Sequence, residues 1–285
     1  MKTLDGHAVV VTGAGRGLGR AYAVHAARSG AAVVVNDIDA AASERVAQDI
    51  RAFGGTSVAS GHSVADPDAA AELVDLCVRS FGAIDGLVNN AGLFHLADPW
   101  AEDPRRVRAL VEVNVMGTIQ CGLAAIARMR EQGRPGSIVN VTSGTHLGFP
   151  GAAVYGATKG AVASLTYGWA LDLRESGIRV NAISPLAVTD MKLPPHEGHA
   201  RPEEIAALVT FLLSERAAGI TGQVVRRDRR MLGLIRHPAI GEMVEGPAWE
   251  VDDIERAFRT SLGDLEPVGY GEHRLIPTGP LNEIE

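Results

Sequence analysis

Ala8-Val9-Val10-Val11-Thr12-Gly13-Ala14-Gly15-Arg16-Gly17-Leu18-Gly19 is the stretch on which the reading of the fold turns. Its first four residues are apolar without polar alternation, as in a buried strand, and its glycine-rich turn opens a segment of helical period over 17–29. Backbone without a Cβ can approach a pyrophosphate closely, and the unpaired N–H groups and positive dipole end of the helix face its oxygens. The common G-x-G-x-x-G pattern fails from Gly13, because its last position is Leu18; Gly13, Gly17 and Gly19 instead fit a longer loop, G-x-x-x-G-x-G. A tight turn needs glycine for steric reasons alone, so the surroundings decide. The next apolar run, Ala32-Val33-Val34-Val35, ends in Asn36-Asp37, about twenty residues beyond the loop, where a carboxylate can accept hydrogen bonds from ribose hydroxyls. Asp37 disfavours a 2′-phosphate and points to NAD(H) over NADP(H); Arg16 is the loop residue that could contact an added phosphate.

Further strands are expected over 84–88, 137–141, 178–183 and 223–225, with a weaker one over 56–60 where the rhythm leaves a gap. Helical periods fall over 40–53, 67–81, 104–131, 153–175 and 202–214. Strands without polar alternation are covered on both faces, so the expectation is an α/β protein with a doubly wound parallel sheet of Rossmann type and right-handed crossovers. The rhythm breaks near Asp228. Residues 1–230 are expected to form one dinucleotide-binding catalytic domain, and 231–285 a C-terminal extension with one amphipathic helix through Val251, Ile254, Phe258 and Leu262. Packing on the main domain is the ordinary role for such a tail; covering a cleft or a subunit interface is the functional one.

Composition narrows the classes. Among 285 residues, 46% are hydrophobic and 21% charged, which excludes a disordered chain. With 27 basic against 34 acidic residues and a net charge of −7, nucleic acid is an unfavourable partner. Arg226-Arg227-Asp228-Arg229-Arg230 is interrupted by an acid and reads as a solvated strand end. Cys77 and Cys121 are too few and too far apart for a disulfide framework or a thiolate zinc site. His196-Glu197-Gly198-His199 does not match H-E-x-x-H, so no metal is expected. No uninterrupted apolar run approaches the roughly 18 residues of a bilayer span, and Met1-Lys2 leads into Asp5-Gly6 without a signal-like apolar stretch. The expectation is a cytoplasmic enzyme with no membrane partner.

Tyr155 and Lys159 stand one helical turn apart on a common face. A phenol with a pKa of about 10 is a poor acid or base at neutral pH, and a nearby cation favours its phenolate. Tyr-x-x-x-Lys alone is common by chance, so its neighbours matter: Thr142-Ser143 at the end of the 137–141 strand, Asn89-Asn90-Ala91-Gly92 after the fourth strand, and Asn114 on the following helix.

Together these motifs resemble the short-chain dehydrogenase/reductase family: its T-G-x-x-x-G-x-G loop at Thr12 to Gly19, its N-N-A-G at Asn89 to Gly92, and its Y-x-x-x-K at Tyr155 to Lys159. The resemblance covers roughly residues 5–230 in matching order. Within the family the chain looks most like NAD-linked members acting on hydroxyacyl, steroid-like or other lipophilic secondary alcohols. The resemblance implies that Tyr155 transfers the proton, Ser143 bonds the substrate oxygen, Lys159 adjusts Tyr155 and binds the nicotinamide ribose, and Asn114 helps hold a relay water. It likewise implies cofactor contacts from Gly13, Arg16, Gly17, Leu18, Gly19, Asp37, Val64, Asn89, Ala91, Gly92, Pro185, Val188 and Thr189. It departs from the pattern at Ser63-Val64, where relatives often carry Asp-Val, at Pro185-Leu186 in place of Pro-Gly, and in a short loop after Met191. These features imply an oxidoreductase interconverting a secondary alcohol and a ketone, pairing as a homodimer or homotetramer through its long helices. A catalytically weak dinucleotide-binding sensor on the same fold is the alternative.

Overall fold

Burial on both faces dictates how the strands assemble. Strands β1 (Ala8–Val11), β2 (Ala32–Asn36), β4 (Gly86–Asn89) and β5 (Gly136–Val141) are buried almost throughout, which only a sheet covered by helices on both sides provides. The computed structural model describes residues 2–186, 200–228, 230–241, 243–246 and 249–260. With β3 (Thr56–Ser60), β6 (Ile178–Leu186), β7 (Val224–Asp228) and β8 (Met231–Ile235), the strands form one sheet in the order β3-β2-β1-β4-β5-β6-β7-β8. All neighbours run parallel except β7 and β8. Strand order reverses between β1 and β4, and the crevice at such a reversal is where doubly wound sheets bind ligands.

Alternate residues of one strand feed different cores. Val9 and Val11 join Tyr22, Val46, Ile50, Ile205 and Leu212 on the side of α1 (Gly17–Arg28), α2 (Ala40–Ala52) and α7 (Pro202–Leu213). Ala8 and Val10 join Leu73, Cys77, Cys121, Met129 and Trp169 on the side of α3 (Pro67–Phe81), α5 (Gly117–Gln132) and α6 (Ala153–Asp172). The weak 56–60 strand forms beside β2, with Thr56 opposite Ala32, and its edge position accommodates its partly exposed pattern.

Two features depart from the sequence reading. Met231-Leu232-Gly233-Leu234-Ile235, assigned to the extension, folds back as an antiparallel edge strand with Asp228 opposite Met231 and Val224 opposite Ile235. A two-residue connection is too short for a parallel crossover, so this direction is imposed. The helix expected over 104–131 comprises α4 (Pro104–Leu110), a π-helical turn at Val111–Met116, and α5. By length and composition alone the 29-residue run Pro104–Gln132 is apolar enough to cross a membrane, although Glu112, Asn114 and Gln120 interrupt it. Its inner side, including Leu110, Asn114, Cys121, Ala125 and Met129, is buried within the protein.

The chain divides into two compact units, Met1–Arg236 and His237–Glu285. In the second, α8 (Val251–Thr260) carries the expected Val251, Ile254 and Phe258; Leu262 lies outside the described residues.

Candidate active site

The glycine loop is held from below by the turn after β4. Asn90 Nδ2 donates to the carbonyls of Thr12 and Gly13 at 2.9 and 3.0 Å, and the Thr12 hydroxyl accepts the N–H groups of Asn90 and Ala91, both at 3.0 Å. Gly13 and Gly17 have φ of +60° and +53°, a region that costs an L side chain about 1–2 kcal/mol. Gly19, in the first turn of α1, is required for a different reason: a Cβ there would lie 2.1 Å from the Gly13 carbonyl oxygen. Arg16 is exposed at the start of α1, and Leu18 packs partly into the core.

Gly15 was not singled out by spacing, yet it touches the acidic residue of the site. Its N–H donates to Asp37 Oδ2 at 2.9 Å, and a Cβ would stand 2.8 Å from that same oxygen. Asp39 N–H binds the other carboxylate oxygen at 3.0 Å. The structure therefore brings Asp37 against the loop through a residue whose importance only the fold reveals.

The side chains of the asparagine pair go to different partners. Asn89, read as a cofactor contact, is buried with Nδ2 donating to Asn140 Oδ1 at 3.0 Å and the Thr118 carbonyl at 3.5 Å. As the last paired residue of β4, its side chain projects into the layer under α5, whereas Asn90, beyond the pairing, turns to the loop. Ala91 and Gly92 are half-buried next to it. Val64 is buried against Gly117, where a Cβ would meet Val64 Cγ2 at 2.8 Å. Ser63 uses its hydroxyl on the Ala65 N–H at 3.3 Å.

Tyr155 enters from the first turn of α6. It is 7% exposed, lies by the Ser143 side chain, and is met edge-on by Phe94 at 4.8 Å between ring centroids. Burial pushes the phenol up to about 12, with the Ser143 side chain acting the other way. One turn further, Lys159 is also buried; its Nζ donates to the Val141 carbonyl at 2.8 Å and lies 5.8 Å from the Tyr155 ring centroid. Burial pulls the ammonium down to about 8. The expected lowering of the phenol by Lys159 is not what the surroundings give: burial dominates and raises it. Thr142 donates to the Lys159 carbonyl at 2.7 Å, which turns it into α6 and leaves Ser143 as the hydroxyl facing Tyr155. His146 bonds the Ser143 carbonyl through both its ring and its backbone N–H.

Asn114 sits in the π-helical turn, fully buried. Its Oδ1 accepts the Leu93 N–H at 2.7 Å, while Nδ2 donates to the Leu93 carbonyl at 3.0 Å and to Thr158 Oγ1 at 3.1 Å. Both amide hydrogens are engaged, so the side chain clamps the segment after β4 to α6, and Oδ1 alone keeps hydrogen-bonding capacity. A Cβ on Gly92 would lie 3.3 Å from Asn114 Oδ1 and 3.5 Å from Lys159 Nζ, so these three residues converge. Pro185 and Leu186 end β6 half-buried; Val188, Thr189, His196 and His199 lie outside the described residues. Among the described residues no group of three His, Cys, Asp or Glu is placed to hold a metal ion, and both cysteines are free and buried.

A doubly wound sheet, a glycine loop at its switch point and a Tyr–Lys pair beside a serine define a Rossmann-type α/β protein with a polar, titratable centre. The chain belongs to the short-chain dehydrogenase family, whose model matches residues 7–197. A probable short-chain type dehydrogenase/reductase of Bradyrhizobium diazoefficiens is 37% identical over 288 aligned residues, covering 91% of this chain and all of that protein. L-rhamnose 1-dehydrogenase (NAD(P)(+)) of Azotobacter vinelandii is 38% identical over 240 residues, 75% of this chain and 92% of the relative. The crystal structure of a short chain dehydrogenase from Mycobacterium avium superposes with a TM-score of 0.86 at 33% identity, covering 93% of this chain and 97% of the other. As a member of this family, the protein is an NAD(P)-linked oxidoreductase.

Proposed function

We propose that this protein interconverts a secondary alcohol and a ketone using NAD(H), with Tyr155 as general acid and base. The observation that carries the proposal is the placement of the buried Tyr155 phenol by the Ser143 side chain at the end of β5, with Lys159 one turn along α6. When bound, the nicotinamide supplies or accepts the hydride. The chain's own residues then have distinct tasks. A buried phenol held in its protonated form can give its proton to a carbonyl oxygen as negative charge develops there, and Ser143 offers that oxygen a second hydrogen bond. The Lys159 ammonium has donors beyond its bond to Val141 and stands beside Gly92, which suits it to a ribose hydroxyl. We keep Asn114 as a holder of a relay water, with Oδ1 as the side-chain atom that has acceptor capacity to spare. We also assign Val188 and Thr189, from the family resemblance, to the nicotinamide end.

The loop fits a dinucleotide: two left-handed glycines and a close-packed third present backbone N–H groups at the start of α1. The Asp37 carboxylate, held at the loop by Gly15, supports the non-phosphorylated cofactor, since a 2′-phosphate would bring like charge against it. Asp37→Ala is expected to weaken NADH binding about 10- to 150-fold while improving NADPH binding, because a charge-assisted bond to ribose contributes roughly 1.5–3 kcal/mol. Fluorescence titration with both cofactors checks this; tighter NADPH than NADH binding in the unaltered protein would overturn the preference. A screen of alcohols and ketones on the same sample tests the reaction itself.

We further propose a homo-oligomer formed by the outer faces of α5 and α6, in the cytoplasm and without membrane or nucleic-acid partners. A groove of about 470 Å³ lined by Val115, Ile119, Leu165 and Trp169 runs between these helices, and Leu123 and Leu171 are more than half exposed nearby. Leu123→Asp combined with Leu171→Asp should move the protein to monomer in light-scattering measurements; an unaltered mass would place the interface elsewhere.

A further inference from the structure

Arg226 and Asp228 of β7 form a polar pair that the reaction chemistry above does not use. Val224 packs with Ala163 of α6 and Ala182, so Arg226 and Asp228, two and four residues on, project from the same face of the sheet as α6. In register, Arg226 lies between Ser184 of β6 and Gly233 of β8, and Asp228 between Leu186 and Met231. The Arg226 guanidinium donates to Ser184 Oγ at 3.1 Å and reaches over Gly144, where a Cβ would stand only 2.8 Å from Nη1. Gly144 directly follows Ser143, so the guanidinium borders the centre built from Tyr155 and Ser143.

The pair is incompletely satisfied. Arg226 Nη2 meets Asp228 Oδ2 at 3.5 Å, the outer limit of a hydrogen bond, although the side chains are only 23% and 13% exposed. Among the described residues, Asp228 Oδ1 is buried without a hydrogen-bond partner, and so is Thr145 Oγ1 on the residue after Gly144. Buried polar atoms are ordinarily paired, so an unpaired carboxylate oxygen beside a guanidinium asks for a ligand group. A carboxylate or phosphate would suit Arg226 but would face Asp228 with like charge and bring no proton to Oδ1. An ammonium would have the opposite fault. A hydroxyl satisfies both, donating to Oδ1 while accepting from the guanidinium.

We propose that Arg226 and Asp228 form a subsite for a second hydroxyl of the substrate, making diols and polyols preferred over simple secondary alcohols. Leu186 and Met231 flank Asp228 with apolar surface suited to the carbon skeleton. The inference deepens the reading of the Tyr155 centre and rests on it for the location of the substrate, but its test is a binding measurement that needs no turnover.

The full-length protein, with NADH present, is titrated calorimetrically with cis-1,2-cyclohexanediol and with cyclohexanol. The diol is expected to bind about 10-fold tighter or better, the range a hydrogen bond to a charged group provides. Asp228→Asn should erase most of that ratio, and Arg226→Lys, which keeps the charge but loses the planar fork, should reduce it; thermal denaturation verifies that each variant is folded. Equal binding of the two probes, no binding of the diol, or a ratio unchanged in both folded variants would overturn the proposal. A diol preference lost in Asp228→Asn, found together with an absence of turnover, would support the subsite and count against the catalytic assignment of Tyr155.

Discussion

Tyr155→Phe is expected to lower kcat by about 10²- to 10⁴-fold, the usual contribution of a positioned general acid, while leaving NADH binding intact. The substitution removes one oxygen and little else. Phenylalanine fills the same buried volume in the first turn of α6, keeps the edge-on contact with Phe94, and leaves the Tyr155 carbonyl free to accept the Thr158 hydroxyl at 2.7 Å. Ser143 loses the phenol oxygen as a neighbour but still accepts the Thr145 N–H at 3.3 Å, so the end of β5 has no reason to move. The loop that would carry the cofactor is fixed by hydrogen bonds between Asn90 and Thr12 and Gly13, none of which involves residue 155. Loss of rate with retained affinity therefore isolates the proton transfer. Steady-state kinetics on a substrate found in the alcohol and ketone screen, with fluorescence titration of NADH, measure the two quantities separately. Full activity in the variant would remove Tyr155 from the mechanism, whatever its surroundings.

The architecture was legible because parallel strands and their crossover helices write themselves into sequence as unbroken apolar runs and helical periods. Even the weak 56–60 strand followed from rhythm, since β2 needed a neighbour beyond it. Features set by tertiary partners were not legible. Nothing between Val111 and Met116 marks a π-helical turn; what accompanies it is Asn114 reaching Leu93 and Thr158, contacts between segments far apart in the chain. Consecutive asparagines at 89 and 90 look equivalent until β4 ends between them, sending one side chain into the sheet layer and the other to the loop. Gly15 is one glycine among several in sequence and becomes specific only when Asp37 arrives from the next strand. Met231 to Ile235 reads as an apolar run without alternation, and its place at the exposed edge is imposed by the short connection to β7. The same limit hid the Arg226–Asp228 pair, which in sequence belongs to a basic run and in the fold lies beside Gly144.

Gly19→Ala should weaken NADH binding by more than about 10-fold and destabilise the fold, although alanine is the better helix former. The two effects can be compared. Replacing glycine inside a helix gains at most about 1 kcal/mol of propensity, and less in a first turn. Against this, the new methyl would stand 2.1 Å from the Gly13 carbonyl oxygen and 2.5 Å from Asn90 Nδ2. Overpacking of this kind typically costs about 1–3 kcal/mol, and the atom in the way is backbone, which cannot rotate aside as a side chain would. Relief requires α1 to withdraw from the loop or Gly13 to leave its left-handed conformation, and either movement breaks the Asn90 bond to the Gly13 carbonyl at 3.0 Å. The N–H groups that would face the pyrophosphate are displaced together, so affinity should fall further than stability. Gly17→Ala provides the contrast: among the described residues no atom lies within 4 Å of its Cβ, and the penalty there is conformational, about 1–2 kcal/mol from a φ of +53°. Urea denaturation and NADH titration of both variants separate crowding from backbone strain. Wild-type affinity in Gly19→Ala would mean that α1 does not need its close approach to the loop, and the dinucleotide reading of that loop would lose its steric basis.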